Sequence, residues 1–149
     1  MKLSFQIKTF EDLNTTELYA VMRLRSEVFV VEQNCVYLDL DGKDQKSRHI
    51  LGYLGSELVA YCRIFDKGDY FEEASIGRVL VAYAYRNHQF GHELMRFAIA
   101  ALWTCFETIK CTISAQLYLK HFYESHGFVQ EGVSYLEDDI PHIKMNLKQ

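Results

Sequence analysis

The stretch Val79-Leu80-Val81-Ala82-Tyr83-Ala84-Tyr85-Arg86-Asn87-His88-Gln89-Phe90-Gly91-His92 reads as an apolar strand that passes through a short polar turn into a helix. The helix is signalled by Leu94, Phe97, Ala98, Ala101 and Leu102, which recur at the spacing of one helical face. Such a turn aims unpaired backbone N–H groups, and the positive end of the helix dipole, at whatever lies in front of it. A pyrophosphate suits that arrangement: Arg86 adds a charge-assisted contact, and Gly91 lets the backbone approach closely. Taken alone, the segment is equally an ordinary strand-to-helix turn with a solvated arginine.

Upstream, residues 3–7 alternate apolar and polar as a strand does, and Asn14 followed by Glu17 reads as a capping box that starts a helix. Leu18, Val21, Met22, Val28 and Phe29 continue at helical spacing, with Arg25 and Glu32 in roughly the same sector, so this helix is expected to carry functional polar groups. Residues 34–47 have no sustained period and read as a loop. Residues 48–55 and 58–65 are strand-like runs separated by a hairpin turn at Gly55-Ser56, and a polar loop follows at 66–73. The apolar run 76–82, interrupted by Arg78, is expected to be a central strand covered on both faces. Downstream, Ile109, Cys111 and Ile113 alternate as a further strand, while Leu119, Phe122 and Tyr123 mark a helix that Gly127 closes as its left-handed cap. Residues 128–135 and 142–147 read as two strands joined through Glu137-Asp138-Asp139 and Pro141. The series predicts a mixed α/β chain in three layers.

At 149 residues and 49% hydrophobic, the chain has room for one sizeable core, so a single domain over residues 1–149 is expected. No run approaches the roughly 18 apolar residues of a membrane span, and no leader pattern opens the chain, which points to a cytoplasmic protein with no membrane partner. The net charge of −4, with no basic block, speaks against nucleic acid as a partner. Cys35, Cys62, Cys105 and Cys111 form no C-x-x-C pair and lie among apolar residues, as structural thiols do.

The turn resembles the coenzyme-A motif of the GCN5-related N-acetyltransferases (GNAT), in which Arg or Gln is followed after two residues by Gly and then, one residue on, by Gly or Ala. Arg86 and Gly91 match its ends, and Gln89 stands at the inner glycine. Gln89 fits if its φ stays negative, whereas a left-handed conformation there costs on the order of 1 kcal/mol or more. In the second half, the segment from Gln116 through Tyr123 to Gly127-Phe128 resembles the stretch of the same family in which an Asn precedes a Tyr by seven residues. Glu27-Val28-Phe29-Val30-Val31-Glu32-Gln33-Asn34-Cys35, Leu38-Asp39-Leu40-Asp41-Gly42, Arg48-His49-Ile50-Leu51-Gly52 and Glu137-Asp138-Asp139-Ile140-Pro141-His142 extend the likeness over nearly the whole chain, to the ElaA-like branch of the superfamily.

The resemblance implies a central, mostly antiparallel, twisted sheet of about six to seven strands flanked by helices. It also implies acetyl-CoA as cosubstrate and no metal. The pyrophosphate would sit on Arg86, Asn87, His88, Gln89, Phe90, Gly91 and His92, the pantetheine beside Val79, Leu80 and Val81, with Gln116 completing the coenzyme site. A backbone N–H near Leu80 or Val81 would polarise the thioester. Tyr123, a phenol that is protonated at neutral pH, would be the acid for the departing thiolate; by its position alone it is a core aromatic. A neutral amine of a small molecule or peptide would attack directly. Many relatives carry a basic glutamate where Gly77 stands, which leaves Glu27, Glu32, His49 or a water to take the proton. Asp39, Asp41 and Asp44 lack the glycine and distal Glu of an EF-hand loop, so they are expected to be solvated, or to line an acceptor cleft with Glu137, Asp138 and Asp139 that would favour a cationic amine. The pattern from Arg25 to Arg63 also resembles acyl-homoserine-lactone synthases, and a non-catalytic acyl-CoA sensor is a further alternative. A homodimer through the C-terminal strands is left open.

Overall fold

The computed structural model describes residues 1–148. Seven strands and three helices follow in the order β1 (Ser4–Thr9), α1 (Thr15–Arg25), β2 (Arg48–Leu54), β3 (Glu57–Phe65), β4 (Ser75–Val81), α2 (Phe90–Phe106), β5 (Cys111–Gln116), α3 (Lys120–Glu124), β6 (Val129–Glu137) and β7 (Ile140–Leu147). The local signals act where the sequence puts them. Asn14 Oδ1 accepts from the Glu17 amide at 2.8 Å and Glu17 Oε1 accepts from the Asn14 amide at 3.0 Å, so the capping box is reciprocal. Gly127, at φ +95°, ends α3: its amide donates to the Glu124 carbonyl and the Phe128 amide to the Tyr123 carbonyl, the paired bonds of a Schellman cap. Asp138 and Asp139 both have positive φ and close a two-residue β6–β7 hairpin. Pro141 is tolerated in the middle strand β7 because β5 pairs only as far as His142, so no neighbour on that side needs its missing N–H. Beyond α1 the chain widens into a π-helical segment, Ser26–Glu32.

The strands make two antiparallel sheets, β1-β2-β3-β4 and β5-β7-β6. Among the described residues a single bridge links them, Ala74 to Cys111 in parallel fashion, with the Thr112 amide donating to the Ala74 carbonyl at 2.8 Å. The run at 76–82 is therefore not a central strand: β4 ends its sheet, and Gly77, Arg78, Val79 and Val81 are half-exposed along a free edge. The cause is a bulge. Between the pairs Tyr61–Leu80 and Arg63–Gly77, Arg78 and Val79 stand against the single residue Cys62, and Arg78 takes φ +51°. A bulge bends and twists its strand, so β4 diverges from β5 beyond that bridge.

Sheet β1–β4 is covered on both faces. Ile50, Cys62 and Ile64 pack with Leu94, Met95 and Ala98 of α2, while Leu51, Tyr61 and Leu80 pack with Val21, Leu24 and Val28 on the α1 side. Cys62 and Cys111 lie in the first of these cores, and burial pushes both thiols up. Among the described residues no helix is long and apolar enough to cross a membrane.

The loop at 34–47 is not a solvated acidic stretch. Arg25, fully buried, donates from Nε to Asp39 (2.9 Å) and from Nη1 to Asp44 (2.6 Å). Arg63 reaches both Asp41 oxygens (2.9 and 2.5 Å) and Asp44 (2.9 Å), and Arg78 holds Asp39 at 2.7 Å. Three cations thus meet three anions. His49 lies beneath them, with one ring nitrogen 2.6 Å from Tyr61 Oη and the other 2.9 Å from the Asp44 carbonyl. Burial lowers the His49 pKa, while Asp41 and Asp44, which burial alone would raise, are held below the usual carboxylate range by Arg63 and Arg25.

Removing one partner of such a network strands a buried charge, so Arg25→Met should cost about 3–5 kcal/mol in urea unfolding. Acid should act in two stages. Protons bind the unfolded chain's histidine, and not native His49, as pH falls below about 6.5, and bind its carboxylates in preference to Asp41 and Asp44 below about 4. Melting temperature should therefore drop in both windows. In His49→Gln the first drop should shrink; an unchanged profile would contradict this account.

Candidate functional site

Where β4 and β5 part, they leave a cavity of about 630 Å³. One wall is the bulged edge of β4 (Gly77, Arg78, Val79, Leu80, Val81); another is the turn into α2, with Arg86, Asn87, Gln89, Phe90, Gly91 and His92. Tyr118, Phe122 and Tyr123 come from the segment around α3, Glu32 from the π-helical segment and Gln33 from just after it, and Ser114, Gln116, Glu137 and His142 from the second sheet. Every residue singled out for the coenzyme lies on this wall except His88, whose ring sits against Phe90 at 5.4 Å and does not line the cavity.

The N-terminus of α2 has no side-chain cap. Gln89 and the first-turn residues Phe90, Gly91 and His92 line the cavity, and the unpaired amides and positive dipole end of a helix N-terminus make this the wall suited to an anion. The turn reaches that geometry at a cost: Asn87 and Gln89 both take left-handed φ, +76° and +63°. The negative φ that would have suited Gln89 is not adopted. Gly91 is not in that region, and a Cβ there would meet Phe122 and Val81 no closer than 3.5 Å, an ordinary contact. His92 Nδ1 and His126 Nε2 share one proton-mediated contact at 2.8 Å, and Phe122 packs on both rings.

Arg86 is not free. Its guanidinium grips both oxygens of Glu32 at 2.5 and 3.0 Å and donates to the Val81 carbonyl at 3.0 Å. Gln116 likewise exchanges amide hydrogen bonds with Gln33, at 3.1 and 3.3 Å, tying β5 to the π-helical segment. Tyr123 is buried, and burial, with the nearby Cys62 thiol and Tyr118, raises its phenol well above the ordinary value. It is a protonated acid throughout the neutral range.

The candidate bases separate on position. His49 is fully buried away from the cavity, and Glu27 is exposed and pairs with Arg23, so neither reaches it; Glu32 does, but both its oxygens are taken by Arg86. Asp39, Asp41 and Asp44 are neutralised by arginines and do not line the cavity, so they make no acidic cleft; Glu137 and Asp138 line it and Asp139 does not. The polar face of the second sheet was missed as a unit. There Ser114 Oγ donates to Glu137 Oε1 at 2.9 Å and lies 2.5 Å from Tyr135 Oη, and His142 stands 3.6 Å from Glu137. The alternation of Ser114 and Gln116 with core residues was the available signal. Among the described residues no group of three or more His, Cys, Asp or Glu side chains is arranged to hold a metal ion.

The family model described as "Acetyltransferase (GNAT) domain" matches residues 11–149. Protein ElaA of Escherichia coli strain K12 is 43% identical over 136 residues, covering 90% of this chain and 89% of that protein. Its crystal structure superposes with a TM-score of 0.90 at 40% identity, over 98% and 99% of the two chains. An acyl-CoA N-acyltransferase from Pseudomonas aeruginosa superposes at 0.91 and 39% identity, over 99% of this chain and all of the other.

Gln89→Gly should relieve left-handed strain of about 1–2 kcal/mol while adding about 0.5–1 kcal/mol of unfolded-chain entropy. The variant should be more stable by about 0.5–1 kcal/mol in denaturant titration, and a loss of stability would show that the Gln89 side chain contributes more than its φ costs.

Proposed function

The chain belongs to the GNAT acetyltransferase family, and from that premise we propose that it transfers an acetyl group from acetyl-CoA to an amine of a small molecule or peptide by direct attack on the thioester. The observation that carries this reading is the uncapped N-terminus of α2 opening on the same cavity as the bulged edge of β4 and the Tyr123 ring. The pyrophosphate sits on the amides from Gln89 to His92, with Arg86 turning from Glu32 toward it. The pantetheine lies along Val79, Leu80 and Val81, where the edge of β4 has no neighbouring strand. The residues fit the cosubstrate, since an anion site and an open strand edge lie on one continuous wall.

The chemistry is an acyl transfer. The amine nitrogen bonds to the carbonyl carbon, the C–S bond breaks, and the thiolate takes the Tyr123 proton. Positioning within the cavity supplies most of the acceleration. The four cysteines are free, which suits a reducing cytoplasm. Strand β6, with Val129, Val133 and Leu136 exposed at the free edge of its sheet, is where a homodimer through the C-terminal strands would form.

Calorimetry should detect acetyl-CoA binding to the wild type and to Gly91→Ala, whose added carbon meets only ordinary contacts, and none to Gly91→Glu, which brings an anion to the pyrophosphate wall. No binding to the folded wild type would end this reading. Tyr123→Phe should bind the coenzyme normally and lose about a hundredfold in kcat; binding without turnover on any amine in a wide panel would favour an acyl-CoA sensor.

A further inference from the structure

The polar face of the second sheet carries a pair of groups that the steps above leave unused. His142 is 7% exposed and lines the cavity, one residue from the core-facing Ile143, and pairs across the ladder with Gln116 of β5. Its Nδ1 lies 2.7 Å from the Ile140 carbonyl, which can only accept, so Nδ1 carries the hydrogen. In the neutral ring Nε2 is then a bare lone pair. It faces Glu137 Oε2, also an acceptor, at 3.6 Å, while Glu137 Oε1 is held by the Ser114 hydroxyl. Two acceptors confront each other across a gap slightly longer than a hydrogen bond, the imidazole buried and the carboxylate open to the cavity. A donor with several hydrogens satisfies both at once, and a primary ammonium has three.

The cavity also has no carboxylate on its β4 side. Gly77 stands there with nothing within 4 Å of where a Cβ would be, and Gly77 and Glu137 line both the main cavity and a small adjoining one of about 50 Å³. The anionic group in this part of the site is supplied across the parting by β6.

Building on the acetyltransferase reading, we propose that Glu137 and His142 seat the acceptor as its ammonium ion, and that His142 Nε2 is the base that takes the proton before attack. The acceptor is therefore a primary or secondary alkylamine that arrives charged, and not an alcohol, thiol or weakly basic nitrogen. In the balanced sequence, the ammonium gives one proton to Nε2, and Glu137 holds the resulting imidazolium. The free amine bonds to the thioester carbon and the C–S bond breaks. The thiolate takes the Tyr123 proton, Tyr123 recovers one from the nitrogen that has become an amide, and His142 releases its own to solvent. Glu137 acts through His142 and the ammonium as a positioning group. The charged and titratable groups that face the imidazole are Glu137 and, with its ring stacked at 6.3 Å, Tyr135, both from β6; its neighbour on β5, Gln116, does not titrate.

The test uses two probe nucleophiles with acetyl-CoA near neutral pH: propylamine, which is protonated there, and hydroxylamine, which is not. His142→Gln should lose about 10²-fold or more in thiol release with propylamine, and only a few-fold with hydroxylamine, while binding acetyl-CoA as the wild type does. Equal losses with both probes, or none, would overturn the assignment. Independently of any acceptor, nitrogen-detected NMR of the histidine rings should find the neutral His142 ring protonated at Nδ1. A neutral ring protonated at Nε2 would also overturn it. Failure of the folded wild type to bind acetyl-CoA would instead count against the acetyltransferase reading itself.

Discussion

The parting of β4 from β5 is the constraint on which the rest of the molecule is arranged. Two sheets that meet at one bridge, Ala74 with Cys111, leave two strand edges facing each other across a gap that no strand fills. Unpaired backbone there has to be matched by something that brings its own hydrogen-bonding groups. The bulge at Arg78 and Val79 sets the divergence, and the surrounding elements close the gap into a cavity: the turn into α2 and the α3 segment on one side, the π-helical segment and the polar face of the second sheet on the other. The two-sheet division and the cavity are thus one structural fact.

The cavity keeps its shape because the loop beside it is pinned from within. Arg25 from α1, Arg63 from β3 and Arg78 from the bulge converge on Asp39, Asp41 and Asp44, so the residue that distorts β4 is also the one that ties the loop to it. Buried ion pairs contribute less net stability than their number suggests, since desolvation offsets much of the attraction, but breaking one is costly. Such a network specifies a position more than it adds free energy. The stacking of guanidinium groups over Tyr37, Tyr61 and Phe65 works in the same direction.

Much of this was legible in the sequence where the signal was local. The Asn14–Glu17 box, the Gly127 cap, the amphipathic face of α2 and the turn after β4 all depend on residues close in the chain, and they appear as expected. The expected single sheet became two because the bulge depends on how β3 and β4 pair, which no run of apolar residues records. Asp39, Asp41 and Asp44 looked like a solvated or cleft-lining group because their partners lie 14 to 39 positions away. Gln89 fits the turn with either sign of φ as far as the sequence goes, and the turn into α2 takes the left-handed one. The residues proposed for the coenzyme could be named from a motif, whereas Ser114, Glu137 and His142 come together only through the β5-β7-β6 ladder.

The charge network has a consequence for how this loop can change over generations. Its six ionic residues are drawn from α1, the loop, β3 and β4, and each aspartate answers to at least one arginine on a different element. A single exchange at any of them meets an immediate penalty, so the loop between α1 and β2 is heritable only together with three positions scattered over the following and preceding elements. A graft of residues 34–47 into a homologous scaffold carries its conformation along only if those arginines travel with it. The loop is, in that sense, a trait spelled in four separate places.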